Sequence, residues 1–429
     1  MSLGLRAGSK LHGMLSLLTP YGAGKLKDLA GHARAYAQHH RLEAAFRAAP
    51  AREGWRISFH PAAQDIILTL EDGHVIIDAR TLEAGPGYHA FVCGLIDYLT
   101  RHHQWVWDLR SAAHHFGDDT GYYRDRNFPA LQTLMAGEFA DMCPGLLEAE
   151  GSGKIPQTVW LPTEFWLAGE AFAATSLGFR DRAFFETPRP ERFFPWWEEG
   201  LTAQAVKNMA LAMMWLEILW EPPGNARDRQ ALEHCRALID RARTLGAVFT
   251  EDEGAGDIDT LLRGEPLDDG HAGRIGYCRQ DAWYLEPGGW SIALPARYRE
   301  ELDADGQLCS LLTDDRGVYV RSYIFEAARP QLSWPEELSD TYAETRRLKT
   351  DDYWVVLQSG EMDEDEDGVR WFVWQGTYNS RTSSARISIV SSHEDDAAWA
   401  EKVLCAVLPP SDIVTDTSAR RRDSRRPDL

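Results

Sequence analysis

A run of period-two segments filling the last third of the chain constrains its fold more than any other feature. Trp290-Ser-Ile-Ala-Leu-Pro295, Leu308–Thr313, Val318–Phe325, Tyr353–Ser359, Val369–Tyr378 and Arg386–Ser391 carry the alternation of strands that bury one face. Their connections are short and rich in turn residues, as in Asp314-Asp-Arg-Gly317, which makes antiparallel hairpins the natural way to join them. Trp334–Arg347 reads as a helix inside this run. Ser392 caps a closing helix that ends near Leu408, with Asp395 placed to complement its exposed amides.

Residues 1–275 follow a different grammar. Residues 1–50 read as a basic helical segment, with a helix from Gly24 to Ala48. Trp55–Pro61, Ile66–Glu71 and Val75–Arg80 read as strands, the last two joined by Asp72-Gly73, a strong hairpin signal. Gly85-Pro86-Gly87 then breaks the chain, and Tyr88, Phe91, Val92, Leu95, Ile96 and Leu99 share one helical face. Further helices are expected at Phe128–Met142, Thr163–Leu177 and Arg227–Leu245. Leu201–Trp220 is apolar but interrupted by Lys207, Asn208 and Glu217, so it reads as a buried helix and not as a transmembrane segment.

The expected fold class is α+β. An N-terminal hairpin-plus-helices domain (51–248) is followed by an acidic, Gly-rich linker (249–276). An antiparallel-sheet α/β sandwich (277–410) comes next, then a disordered tail (411–429).

Charge narrows the partners. The chain carries a net −21, yet residues 1–60 are basic through Arg6, Lys10, Lys25, Lys27, Arg34, Arg41, Arg47, Arg52 and Arg56. The body is therefore still more acidic than the total, which repels phosphate backbones and argues against nucleic acid as a partner. An acidic body suits a protein partner, and a basic one in particular. The six cysteines are scattered without a CxxC pair, which fits buried thiols in a reducing, cytoplasmic setting.

Candidate sites are few. Asp363, Asp365 and Asp367 precede Gly368, and alternate carboxylates before a glycine can turn several oxygens toward one hard cation; a solvated acidic hairpin tip is the plainer reading. His102, His103, Asp108, His114 and His115 could hold zinc or a similar metal, or sit as ordinary histidines near a helix end. Phe193, Phe194, Trp196 and Trp197 flank Pro195, either tucked into the core or offered as an anchor to a partner. Gly22-Ala-Gly24-Lys25 fails as a phosphate loop, because Leu26 stands where Ser or Thr would hold magnesium. No cofactor is implied.

The strand, hairpin, helix, long hairpin, strand, helix order across 280–410 resembles the PsbP-like/DcrB-like α/β sandwich group. It is carried by Trp290–Pro295, Leu308–Glu326, Arg370-Trp-Phe-Val-Trp374 and Asp395–Leu408. That resemblance implies an antiparallel sheet covered by helices and a role in binding proteins. The leading expectation is a non-catalytic binding protein of adaptor, chaperone or immunity type. Its alternatives are a metal-dependent hydrolase built on the front histidines with Asp108 or Asp118, and peripheral membrane association through the basic N-terminus.

Overall fold

The hairpin signal at Asp72-Gly73 is the point from which the N-terminal unit grows. In the computed structural model both residues take positive φ (48° and 73°), the geometry of the tight turn that matches strand twist. The structure describes residues 3–410 except 11–18, 52–53, 111–114, 149–156, 162–171, 268–275, 286, 297, 303–307, 314–315, 336–337 and 363–369. Two compact units divide it, the first ending at Arg279 and the second beginning at Gln280.

In the first unit, strand β1 (Gly4–Lys10) leads into helix α1 (Thr19–His39). Strands β2 (Arg47–Ala51), β3 (Gly54–Ser58), β4 (Ile66–Glu71) and β5 (His74–Arg80) follow, then α2 (Pro86–His103) and the short β6 (Gly117–Asp118). The sheet order is β2-β3-β4-β5-β1-β6. Helix α3 (Tyr122–Asp125) and helix α4 (Phe128–Glu148) come next. Three short strands, β7 (Gln157–Thr158), β8 (Ala173–Thr175) and β9 (Gly178–Arg180), form a second sheet. Helices α5 (Arg182–Glu186), α6 (Pro190–Phe193), α7 (Ala203–Leu216), α8 (Ala226–Thr244) and α9 (Asp257–Leu262) complete the unit. Thr202 and Asn225 cap α7 and α8 by accepting from the third amide beyond each.

Several sequence expectations change here. Residues 1–50 are not a separate helical segment, because β1 pairs with β5 over its whole length and β2 joins the same sheet. The helix expected to reach Ala48 stops at His39, and Arg41 turns the chain at φ 55°. Thr163–Leu177 is not one helix: residues 162–171 lie outside the described residues, and Ala173–Thr175 is a strand. The segment 249–276 is more than a linker, since Ala255, Ile258 and Leu261 are buried in the core of the first unit. The acidic and glycine residues around them are what made it look like a linker.

The second unit opens with a hairpin of β10 (Asp281–Leu285) and β11 (Ser291–Pro295). Strands β12 (Arg299–Leu302), β13 (Leu308–Leu312), β14 (Arg316–Ile324), β15 (Ala343–Lys349), β16 (Tyr353–Met362), β17 (Trp371–Ser380) and β18 (Ser383–Ser391) precede the closing helix α10 (Ala397–Cys405). Seven of these strands form one antiparallel sheet in the order β12-β13-β14-β18-β17-β16-β15. The fold is α+β.

Alternation assigns the two faces of this sheet. Val318, Val320, Ile387, Ile389, Val355 and Tyr378 are buried on one face, where α10 supplies Ala400 and Leu404. The Tyr378 hydroxyl donates to the Leu404 carbonyl at 2.7 Å, and its ring lies 5.4 Å from that of the fully buried Trp290. Trp334–Arg347 is not a helix: its C-terminal part enters β15, an edge strand with Glu344, Arg346 and Arg347 exposed. Backbone pairing with β16 decides that conformation over local helix preference, and charge on the edge discourages further pairing.

Candidate functional site

The second face of the C-terminal sheet is only partly roofed. Near β16 and β17 it is covered by the segment leading into β15. Gln358 Nε2 donates to the Ser339 and Tyr342 carbonyls at 2.8 and 2.9 Å, and Trp334 packs on Trp354 with ring centroids 4.8 Å apart. Over β14 and β18 no described segment covers the face, which forms a cup of about 590 Å³ among the described residues.

Register arranges the cup in rows. Arg321 of β14 lies directly opposite Arg386 of β18, which lies opposite Thr377 of β17. Tyr319 and Tyr323 flank Arg321 two residues to either side on the same strand face, as Ser388 and Ser384 flank Arg386. Tyr319 is 38% and Tyr323 51% exposed, so both rings remain available to a ligand. Arg329 forms part of the wall, its guanidinium 3.8 Å from the centre of the Phe325 ring. No carboxylate lines the cup among the described residues, in a chain whose net charge is −21.

A different cluster lies in the first unit. His89, Cys93 and Asp118 hold donor atoms within 4.8 Å of one another, and among the described residues they are the set spaced for a metal ion. His89 and Cys93 are one turn apart on α2, and pairing of β6 with β1 brings Asp118 beside them. His89 is fully buried, with Nε2 3.2 Å from Asp118 Oδ1 and 3.0 Å from Thr120 Oγ1, and Nδ1 2.8 Å from Thr81 Oγ1.

Asp118 accepts further bonds from the Thr120 amide (2.9 Å), the Thr120 hydroxyl (2.7 Å) and the Tyr123 amide (2.6 Å). Burial by itself would raise the Asp118 carboxyl. Its hydrogen bond and ion pairing with His89, helped by Tyr123 and Thr120, outweigh that and hold it at about 2. Burial pushes the Cys93 thiol well above its ordinary value, so it stays protonated and is neither a nucleophile nor a ready metal ligand. A metal would have to displace bonds that already occupy both Asp118 oxygens and both imidazole nitrogens. The cluster is a polar staple tying β6 and α3 to α2.

Of the histidines singled out in the sequence, the described ones do not converge. His103 stacks on His32 of α1, with centroids 3.6 Å apart, while His102 is exposed and packs against Tyr98. Asp108 accepts from the Arg110 amide at 2.8 Å, and its backbone bridges to Gly8. His115 is exposed, and His114 lies outside the described residues, as do Asp363, Asp365 and Asp367. Asp118, weighed for the hydrolase reading, is instead met by His89, which stood on an apolar helical face with no motif around it.

The aromatic cluster is core. Phe193, Phe194 and Trp196 are buried and Trp197 half-buried, so of the two sequence alternatives these rings take the core and not the partner anchor. Phe193 stacks on Phe139 at 4.1 Å, and the Trp196 indole donates to the Gly200 carbonyl at 2.8 Å. Phe194 and Trp196 crowd Gly85 and Gly87, where a side chain would collide with them.

The fold and the cup define an α+β protein that presents a polar, arginine-bearing sheet face. No family model and no curated protein matches the chain. It is similar to a protein of Bacteroides thetaiotaomicron VPI-5482 with a crystal structure at 1.50 Å resolution. The two share 14% identity over 30% of this chain and 48% of that one, with a TM-score of 0.24. The chain thus spans about half the length of that protein, and a likeness so slight carries no argument about fold or function. No helix among the described residues is long and apolar enough to cross a membrane.

Proposed function

We propose that the chain is a non-catalytic binding protein of adaptor type, which engages a protein partner through the open face of its C-terminal sheet. One observation carries the reading. Tyr319, Arg321 and Tyr323 stand together on an exposed sheet face, and Tyr and Arg are the residues that most often anchor protein interfaces. The acidic body outside the cup suits a partner with basic surroundings and disfavours nucleic acid. All six cysteines are free thiols, which supports a reducing cytoplasmic setting. The resemblance of residues 280–410 to the PsbP-like/DcrB-like group points the same way.

The alternatives have less support. The polar groups of the His89–Asp118 cluster are engaged with one another, which leaves the hydrolase reading without a poised nucleophile or base in that cluster. Part of the N-terminal basic charge is spent within the fold: Arg6 pairs with Glu71 at 2.6 Å and Asp78 at 3.5 Å, and Arg47 with Glu217 at 3.1 Å. That weakens the case for a membrane-seeking basic segment.

The test is site-specific photo-cross-linking in cells that produce the protein. A photoreactive benzoylphenylalanine replacing Tyr323 should give one dominant protein adduct, and the same group replacing Leu134 on α4 should not. Absence of any adduct at Tyr323, or the same adducts at both positions, would overturn the proposal.

A further inference from the structure

Buried amide side chains cost stability unless each finds hydrogen-bond partners, so what they bond to shows what a surface is built to hold. Gln358 of β16 and Gln375 and Asn379 of β17 are buried on the sheet face that carries the cup. Above them runs the segment 329–342, described except at 336–337. Gln358 Nε2 donates to the Ser339 and Tyr342 carbonyls, and its Oε1 accepts from the Ser339 amide at 3.1 Å. Asn379 Nδ2 donates to the Ser333 carbonyl at 3.3 Å. These four bonds all end on main-chain atoms, so this half of the face holds a covering segment by its backbone. Gln375 carries the network toward the cup. Its Nε2 lies 3.5 Å from Gln358 Oε1, and its Oε1 accepts from the hydroxyl of Ser388, which lines the cup, at 3.2 Å.

Thr377 is the gap in this row. It stands between Gln375 and Asn379 on the same strand face and lines the cup. It is 7% exposed, and its hydroxyl is buried without a hydrogen-bond partner. Ser384, opposite Asn379, adds another hydroxyl. The exposed Tyr319 and Tyr323 rings stand on β14, two strands from β17 and about 10 Å away at the usual strand spacing.

We infer that the cup receives an extended segment of the protein partner and holds it by its main chain, with Thr377 bonded to that backbone beside the chain's own segment 329–342. Hydroxyls and carboxamides each donate and accept, as the N–H and C=O groups of an extended backbone require. The tyrosines add apolar contact to whatever side chains the segment carries. The inference rests on the protein-binding reading and gives that partner its mode of attachment.

The experiment starts from the adduct formed at Tyr323. The partner peptide that carries it is located by mass spectrometry and synthesised with a fluorescein label in three forms. One is unchanged, one has alternate backbone amides N-methylated, and one has the same residues changed to alanine. Anisotropy titration against the full chain measures each. N-methylation should weaken binding about tenfold or more, and alanine substitution should cost less than that. Thr377→Val should weaken binding of the unchanged peptide about fivefold. The variant should unfold at the same temperature as the native chain or higher, since it removes an orphaned hydroxyl, so a folding defect cannot mimic lost binding. Indifference to Thr377→Val, or a greater loss from alanine than from N-methylation, would overturn the inference. The two proposals fail separately. An adduct at Tyr323 whose peptide binds Thr377→Val as tightly as the native chain removes the main-chain mode but keeps the binding protein. No adduct at Tyr323 removes the binding protein, and the mode that rests on it falls too.

Discussion

Replacing Asp118 by Asn tests the staple in the first unit. The substitution keeps the shape of the side chain and removes its charge, and it turns one oxygen that accepts from Thr120 or Tyr123 into a donor facing a donor. The magnitude follows from proton linkage. Holding the carboxyl at about 2, against 3.8 for an unperturbed aspartate, is equivalent to about 2 kcal/mol of stability at neutral pH. Because the folded value is depressed, that stability is fully present above 3.8 and is lost as pH falls toward 2.

Asp118→Asn should therefore cost about 2 kcal/mol at pH 7, and the variant should lose much of the acid sensitivity seen in the native chain. Urea unfolding at neutral and acid pH measures both. The chain holds two units, so amide hydrogen exchange at Tyr122–Arg124 is needed to place the effect on this cluster. Equal urea midpoints for variant and native protein at pH 7, or parallel acid profiles, would refute the reasoning. The carboxylate would then be as well off in the unfolded chain as beside His89.

Burial, and then the charge of the stacked neighbour, lowers the His32 pKa; burial likewise lowers that of His103. The first unit should thus lose stability as pH falls from 7 toward 5, and His103→Phe should flatten that dependence in urea midpoints measured against pH. Gly87→Ala should destabilise the first unit by roughly 2–3 kcal/mol in the same assay, because its new carbon would lie 2.1 Å from Trp196 Cδ1 and 2.3 Å from the Glu198 carbonyl oxygen. In the second unit Asp396 accepts two bonds from Arg316, at 2.7 and 2.9 Å, and one from the Ser391 hydroxyl. Burial opposes the charge of Asp396, but Arg316 and Ser391 hold its pKa below the ordinary value. Asp396→Asn should cost roughly 1.5–3 kcal/mol, read as a drop in the thermal midpoint of that unit.

Much of the fold was legible wherever a residue's conformation is set by its own neighbours in sequence. The Asp72-Gly73 hairpin, the apolar stripe of α2, the capped α8 and the alternating strands β14 and β16–β18 are of this kind. Misreadings occurred where pairing at long range decides. Nothing in Gly4-Leu-Arg-Ala-Gly-Ser-Lys10 announces a strand, and it becomes one by lying between β5 and β6. Ala343–Lys349 carries residues that favour a helix as readily, and β16 draws it into the sheet. The site was less legible still. Arg321, Arg386 and Thr377 belong to three strands, and no local motif links them. His89 and Asp118 meet only because β6 docks on β1.

The alternation of apolar and polar residues was enough by itself to give this protein an α+β class, a sheet-rich C-terminal third and one face of that sheet committed to the core. That follows because side-chain direction along a strand reverses at every residue, so the buried set can be read from the chain alone. Which part of the opposite face stays uncovered, and which side chains stand across from one another there, was decided only by the tertiary structure. Register and the path of the segment before β15 are set by contacts between residues distant in sequence, and those contacts placed two arginines opposite each other in an otherwise acidic chain.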